Sequence, residues 1–167
     1  EGMKNSGKIL ITGAGGFIGG SLFERLRRYD PIGVAFHRPE GADGRNLIEA
    51  DLRDKNRVKE IFDQYRPGVV FHLAGFSSRR KNEENPELAR ESNLGTTQNI
   101  LNNLSDDAHI IFPSTDKVFD GSDPDPDEEA KVNPLWLYAE LKYQCEEIIK
   151  KKTHKLYMVR LPIVHSS

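Results

Sequence analysis

Residues 8–20, KILITGAGGFIGG, decide the fold. A short apolar run leads directly into a cluster in which Gly13, Gly16 and Gly19 stand three positions apart. Apolar residues at helical spacing follow, so the stretch predicts a buried strand, a tight turn and a helix over 16–28. The N-terminus of such a helix attracts phosphates, which favours a dinucleotide site. The alternative is an ordinary strand–turn–helix connection, because glycines also serve turns that bind nothing.

Length and composition predict one soluble domain. The chain has 167 residues, a net charge of −2 and a single cysteine, Cys145. We expect a flexible leader over residues 1–7 and the domain over residues 8–167. The charge gives no general attraction to nucleic acid or anionic membrane, and no apolar run approaches the roughly 18 residues of a membrane span. With no visible signal peptide and no disulfide possible, the expected compartment is the cytoplasm. No metal site is predicted.

Strand-like and helical patterns alternate along the chain. Further strands are predicted over 32–36, 47–50, 69–74, 109–113 and 156–161, and the strand over 69–74 reads as fully buried. Further helices are predicted after Asp54, over 85–104 and over 134–152, the last with Asn133 as N-cap and Pro134 in its first turn. This alternation predicts an α/β domain with a doubly wound parallel sheet, the Rossmann fold.

The end of the second predicted strand bears on the choice of cofactor. In dinucleotide-binding folds an acidic residue about 20 positions after the glycines binds the ribose 2′-hydroxyl. Here that position falls on His37 and Arg38. A guanidinium can pair with a 2′-phosphate, so NADP is favoured, and NAD stays possible. The alternative is that Arg38 lies in a solvated loop. Asp51, followed by Leu52, could accept a hydrogen bond from adenine or cap local backbone.

Tyr138 and Lys142 form the candidate chemical pair. They are four residues apart on one predicted helix and therefore share a face. A nearby ammonium stabilises a phenolate, which would lower the pKa of Tyr138 towards neutrality. Ser114 and Thr115, just past the fifth predicted strand, could hold a substrate oxygen beside the tyrosine. A surface pair on an exposed helix is the alternative.

These pieces, in this order, resemble the extended short-chain dehydrogenase/reductases that act on nucleotide sugars. The matching stretches are TGAGGFIG at 12–19, ADLRD at 50–54, FHLAG at 71–75, SNLGTTQNIL at 92–101, STDKVFDG at 114–121, NPLWLYAELK at 133–142 and RLPIV at 160–164. STDKVFDG followed by NPLWLYAELK is most similar to dTDP-4-dehydrorhamnose reductases.

The resemblance implies roles for individual residues. Thr115, Tyr138 and Lys142 would be the catalytic set, with Tyr138 transferring the proton and Lys142 also binding the nicotinamide ribose. Leu73, Ala74 and Gly75 would lie against the cofactor, and Asn93 would support the site. The full set of expected cofactor contacts is Gly13, Gly16, Phe17, Ile18, Gly19, His37, Arg38, Asp51, Leu52, Leu73, Ala74, Gly75, Asn93, Tyr138 and Lys142. A nucleotide sugar is the implied substrate, and helices near 86–104 and 134–152 the implied homodimer surface.

Two departures keep alternatives open. Lys117 stands where the reductases usually carry tyrosine, and one branch of nucleotide-sugar 4,6-dehydratases reads Ser-Thr-Asp-Lys as here. A dehydratase or epimerase that recycles its cofactor is therefore one alternative. The chain also stops at Ser167, where family members continue into a substrate domain. A cofactor-binding fragment or a non-catalytic regulatory module is thus another. The basic residues Arg79, Arg80 and Lys81 are expected near substrate phosphates or in solvent.

Overall fold

A computed structural model describes residues 7–40 and 46–162. Most of the predicted leader, and the residues after RLP at the other end, lie outside these ranges. The six strands are β1 Ile9–Thr12, β2 Ile32–Ala35, β3 Leu47–Glu49, β4 Val69–His72, β5 His109–Thr115 and β6 Leu156–Leu161. They form one parallel sheet in the order β3-β2-β1-β4-β5-β6. The predicted doubly wound parallel sheet is confirmed.

The helices are α1 Phe17–Arg25, α2 Lys55–Tyr65, α3 Arg79–Glu84, α4 Pro86–Arg90, α5 Thr96–Asn103 and α6 Leu137–Lys152. Helices α2, α5 and α6 pack on one face of the sheet, where residues such as Phe62, Ile100 and Ile149 complete the larger core. Helix α1 packs on the opposite face through Phe23. No helix within the described residues is long and apolar enough to cross a membrane.

Several predicted boundaries were wrong by a few residues. Helix α1 ends at Arg25, and a 3₁₀ turn over Arg27–Tyr29 follows it. Strand β2 stops before Phe36, whose side chain is exposed. Strand β5 continues through Ser114 and Thr115, since β6 pairs with it as far as Leu161. These two hydroxyl residues therefore belong to the strand itself.

Strand β4 is shorter and less buried than expected. It ends at His72, and Val69 and Phe71 on one of its faces are only partly buried. The backbone N–H groups of Leu73 and Ala74 donate to Thr12 Oγ1, at 3.1 Å each, rather than continuing the strand.

The predicted long helix over 85–104 is not continuous. Asn85 caps α4, its side chain accepting from the Leu88 N–H at 3.2 Å, which confirms the expected start. A π-helical turn over Glu91–Gly95 then separates α4 from α5. Thr96 and Thr97 donate hydroxyl hydrogen bonds back to the carbonyls of that turn, which gives the wider turn additional partners.

Helix α6 begins at Leu137, so the prediction that Asn133 and Pro134 start it was wrong. Asn133 instead anchors the acidic loop: its side chain donates to Asp120 Oδ2 at 2.8 Å and its backbone N–H to Val118 O at 2.9 Å. With its side chain engaged there, Asn133 does not cap the helix. The side chain of Glu83 accepts the Leu137 N–H at 3.1 Å instead.

Candidate functional site

A cavity of about 1110 Å³ opens at the carboxyl ends of the strands. Strands β1 and β4 are neighbours there although they are far apart in sequence, and the crossovers leave in opposite directions from them. Open parallel sheets bind ligands at such a switch point. Thr12 at the end of β1 and His72 at the end of β4 are paired across it.

The glycine turn forms one wall of the cavity. Gly13 has φ +70°, and a Cβ there would lie 2.8 Å from the backbone of Leu73 and Ala74. A Cβ on Gly19 would lie 2.1 Å from Gly13 O, so neither position accepts another residue without a shift. Gly16 lies at the N-terminus of α1, where none of the described side chains caps the helix. The backbone N–H groups of the first turn are therefore left for a ligand.

Two apolar residues of this wall face the cavity with much of their surface exposed. Phe17 is 61% exposed and Ile18 is 40% exposed, and both line the cavity together with Gly13, Gly16 and Gly19. All five predicted contacts from the glycine motif thus lie at one place. Adjoining exposed apolar side chains are typical of a surface that a ligand covers.

The structure separates His37 and Arg38. His37 lines the cavity, whereas Arg38 is not among its lining residues. The Arg38 guanidinium donates to Leu47 O at 2.6 Å, and its backbone N–H donates to Glu49 Oε2 at 2.9 Å. Sequence reasoning missed Glu49, because it reaches this position from β3, which pairs with β2 through Ala35 and Glu49.

Asp51 and Leu52 line the cavity, as does Arg53, which the sequence interpretation did not single out. Both Asp51 oxygens accept from the Arg53 guanidinium, at 2.6 to 3.0 Å. This hydrogen bonding from Arg53 lowers the pKa of Asp51. Asp51 Oδ1 also accepts the Arg53 backbone N–H at 3.0 Å, so Asp51 caps local backbone, which is the second of the two roles considered for it.

Beneath the cavity a buried hydrogen-bonded chain connects β1, β4 and α5. Thr12 Oγ1 accepts two backbone N–H groups from the residues after β4, and it lies 3.0 Å from His72 Nδ1 and 3.5 Å from Phe71 O, the two acceptors within reach of its hydrogen. His72 Nε2 then donates to Thr97 Oγ1 at 2.9 Å, and Thr97 donates to Asn93 O at 2.7 Å. Burial, and secondarily Lys142, lowers the pKa of His72 to about 3. The imidazole is therefore neutral near pH 7.

Leu73, Ala74 and Gly75 line the cavity as predicted, but Asn93 lies behind them. The Asn93 side chain accepts the Phe76 N–H at 3.1 Å and donates to Ala89 O at 2.9 Å. A Cβ at Gly75 would lie 2.8 Å from Asn93 Oδ1. Asn93 therefore positions the loop after β4.

Thr115, Tyr138 and Lys142 all line the same cavity, at the ends of β5 and along α6. The ammonium of Lys142 lies 3.8 Å from the centroid of the Phe112 ring, and burial lowers its pKa to about 8. Burial raises the pKa of Tyr138. The prediction that Lys142 lowers the pKa of Tyr138 is thus wrong for the protein without a ligand, because burial raises this pKa.

Ser114 joins this group and has an unusual hydroxyl. Its Oγ is buried and has no hydrogen-bond partner among the residues that the structure describes, although Ser114 lines the cavity. Thr115 Oγ1 instead accepts the Lys117 N–H at 3.2 Å. Buried polar groups without partners are uncommon in folded proteins and call for a partner that a ligand can supply.

Comparison with known proteins places the chain in a family. A family model described as the RmlD substrate binding domain matches residues 7–167. Methionine adenosyltransferase 2 subunit beta of Bos taurus is 27% identical over 161 residues, which cover 95% of this chain and 47% of that protein. The probable low-salt glycan biosynthesis reductase of Haloferax volcanii is 30% identical over 161 residues, covering 94% of this chain and 53% of that protein.

The structure of dTDP-4-dehydrorhamnose reductase from Bacillus anthracis, solved in complex with NADP, has a similar fold. It matches with a TM-score of 0.80 at 26% identity, over 95% of this chain and 55% of that one. The chain thus spans about half the length of these relatives. The model match, the parallel sheet and the ordered motifs agree with one another: the chain belongs to the RmlD substrate binding domain family.

Proposed function

We propose that this chain is the cofactor-binding half of a reductase that acts on the carbonyl group of a nucleotide sugar, with NADP as the preferred cofactor. One observation carries the proposal. Thr115, Tyr138 and Lys142 line the same cavity as the glycine turn, although they stand more than 100 residues after it. A cavity that only bound a nucleotide would not require a phenol and an amine there.

The residues present fit a dinucleotide. The cavity volume of about 1110 Å³ is in the range for large ligands. The uncapped N-terminus of α1 would hold the pyrophosphate, and Leu73 to Gly75 would contact the nicotinamide half. Arg38 has no carboxylate partner for its guanidinium among the described residues, so it could pair with a 2′-phosphate. A bound nicotinamide supplies the hydride for reduction.

The raised pKa of Tyr138 keeps its phenol protonated at neutral pH. A protonated phenol can donate to a carbonyl oxygen as that oxygen gains charge, which is the direction that reduction needs. Lys142 is mostly charged below its pKa of about 8 and has no hydrogen-bond acceptor among the described residues. Its ammonium is therefore available to ribose hydroxyls. Thr115 would hold the substrate oxygen.

The test uses the complete protein that carries these residues, a keto nucleotide sugar and NADPH. Tyr138→Phe should lower kcat by roughly 10²–10⁴-fold, since proton transfer by a positioned group contributes that much. Tyr143→Phe is the matched control, because Tyr143 is on the same helix but not among the residues that line the cavity. Turnover that survives both Tyr138→Phe and Lys142→Met would exclude the mechanism.

Two alternatives have separate support. Lys117 lines the cavity beside Thr115, which favours a dehydratase or epimerase that recycles its cofactor. Such an enzyme would consume no NADPH in the same assay. A non-catalytic subunit is the second alternative, since one relative is named as a subunit of methionine adenosyltransferase 2. It predicts cofactor binding with no turnover on any nucleotide sugar. A homodimer through 86–104 and 134–152, and a cytoplasmic location, stay predictions.

A further inference from the structure

Arg79 and Trp136 line the cavity on the side of Tyr138. The sequence alone left Arg79 either near substrate phosphates or in solvent, and Trp136 has had no role. We propose that Arg79, stacked on Trp136, binds an oxyanion of the substrate, a phosphate or a carboxylate, and so selects which carbonyl compound reaches Tyr138. The inference rests on the proposed function, because it concerns the substrate of the same site. It adds a specificity-determining residue that lies outside the family motifs quoted above.

The position of Arg79 is built by the short helix α3. Ser78 caps this helix, and Asn82, which is fully buried, donates to Phe76 O and Ser78 O at 2.7 Å each. Glu83, one turn after Arg79 and on the same face, accepts the Leu137 N–H at the start of α6. The helix is thereby fixed at both the loop after β4 and the residue next to Trp136.

The guanidinium of Arg79 lies 4.1 Å from the centroid of the Trp136 ring. A planar guanidinium stacked on an aromatic face keeps its N–H groups free around its edge. Arg79 has no ion-pair or hydrogen-bond partner among the described residues, whereas its neighbour Arg80 pairs with Glu84 at 3.6 Å. The stack therefore orients the cation without neutralising it.

Charges along the cavity favour an anion at this end. Asp51 is the one carboxylate among the described lining residues, and Arg53 already pairs with it. Lys117 pairs with Asp116 at 3.0 Å. Among the described residues, Arg79 and Lys142 are then the lining cations without an ion-pair partner, and Arg79 is the one beside Trp136. An unopposed guanidinium can bind phosphate or carboxylate with two parallel hydrogen bonds.

Trp136 also supplies the probe, because it is the only tryptophan of the chain. Its fluorescence is measured in protein saturated with NADP⁺, which excludes other anions from the glycine turn. Inorganic pyrophosphate, acetate and a neutral sugar are titrated separately at constant ionic strength. The variants are Arg79→Ala and, as the matched control on the same helix, Arg80→Ala.

The proposal expects a saturable change with pyrophosphate or with acetate and none with the sugar. Saturation by pyrophosphate identifies a phosphate as the ligand group, and saturation by acetate identifies a carboxylate. Arg79→Ala should raise the half-saturating concentration at least tenfold, while Arg80→Ala stays within twofold of wild type. Equal responses in the two variants, or no response to either anion, would overturn it. NADP⁺ binding is measured separately, so loss of the cofactor site is distinguishable from loss of this one.

Discussion

At the scale of single residues, the buried imidazole of His72 couples stability to pH. Its pKa of about 3 lies below the ordinary value of 6.5, because burial disfavours the charged ring. Between these two values the unfolded chain binds a proton that the folded chain does not. The contribution of His72 to stability is therefore complete above pH 6.5 and is lost as the pH falls towards 3.

Substitution of His72 by Gln should remove this dependence. Below pH 6.5 the wild-type free energy of unfolding should fall relative to that of His72→Gln by about 1.4 kcal/mol for each pH unit. Urea unfolding at pH 7, 5.5 and 4.5 measures the difference, with His154→Gln at an exposed position as the matched control. Parallel curves for wild type and His72→Gln would contradict the prediction.

Arg38 is the residue that we propose selects NADP over NAD. Arg38→Ala should weaken NADPH binding about tenfold or more, because a charge-assisted pair with the 2′-phosphate is lost, and should leave NADH binding within twofold. Calorimetric titration of both nucleotides checks this. Arg57→Ala is the control, since Arg57 pairs with Glu60 on the surface of α2. Equal losses for both nucleotides would assign Arg38 a structural role through Leu47.

At the scale of elements, a buried ion pair joins α6 to the edge strand β6. The carboxylate of Glu146 is fully buried and accepts from Arg160 at 3.2 Å and 2.8 Å. Arg160 also donates to Glu128 O and stacks on Phe119, so the same side chain holds the acidic loop. This loop precedes α6, so its position bears on where the start of α6 and Tyr138 lie.

Glu146→Gln should therefore destabilise the fold by roughly 3 kcal/mol, because it leaves a largely buried guanidinium without its charged partner. Lys155→Ala is the control: Lys155 pairs with Asp107 at the surface, where such a pair contributes at most about 1 kcal/mol. Urea unfolding compares the two. A loss in Glu146→Gln no larger than that in Lys155→Ala would show that the buried pair contributes little.

The elements also show which features a sequence predicts. Strand β6 was predicted with its observed bounds, and the glycine turn was identified from residues that are adjacent in the chain. The start of α6 was predicted wrongly. Asn133 donates to Asp120 instead of capping the helix, and the Leu137 N–H donates to Glu83, which is 54 residues away in the sequence. Local capping rules describe a helix end well only when its partners are local.

At the scale of the whole molecule, the candidate site likewise contains residues that the sequence predicts and residues that it does not. Fourteen of the predicted site residues line one cavity because motifs at the carboxyl ends of parallel strands converge by topology. Arg38 and Asn93 do not line it, Arg53 and Trp136 were missed as contacts, and Arg79 was expected near substrate phosphates or in solvent. Their positions depend on pairing between β2 and β3 and on the packing of α3, which no single stretch of sequence encodes.

The convergence of the lining residues has a consequence for motion. They come from loops, strand ends and helices spread between Gly13 and Pro162, so local opening of any one of the loops would break contacts with a bound ligand. Binding therefore adds its free energy to each partial opening as well as to complete unfolding. Hydrogen exchange in the loops after β1, β4 and β5 should slow together, and the least stable parts of the chain would gain the most protection.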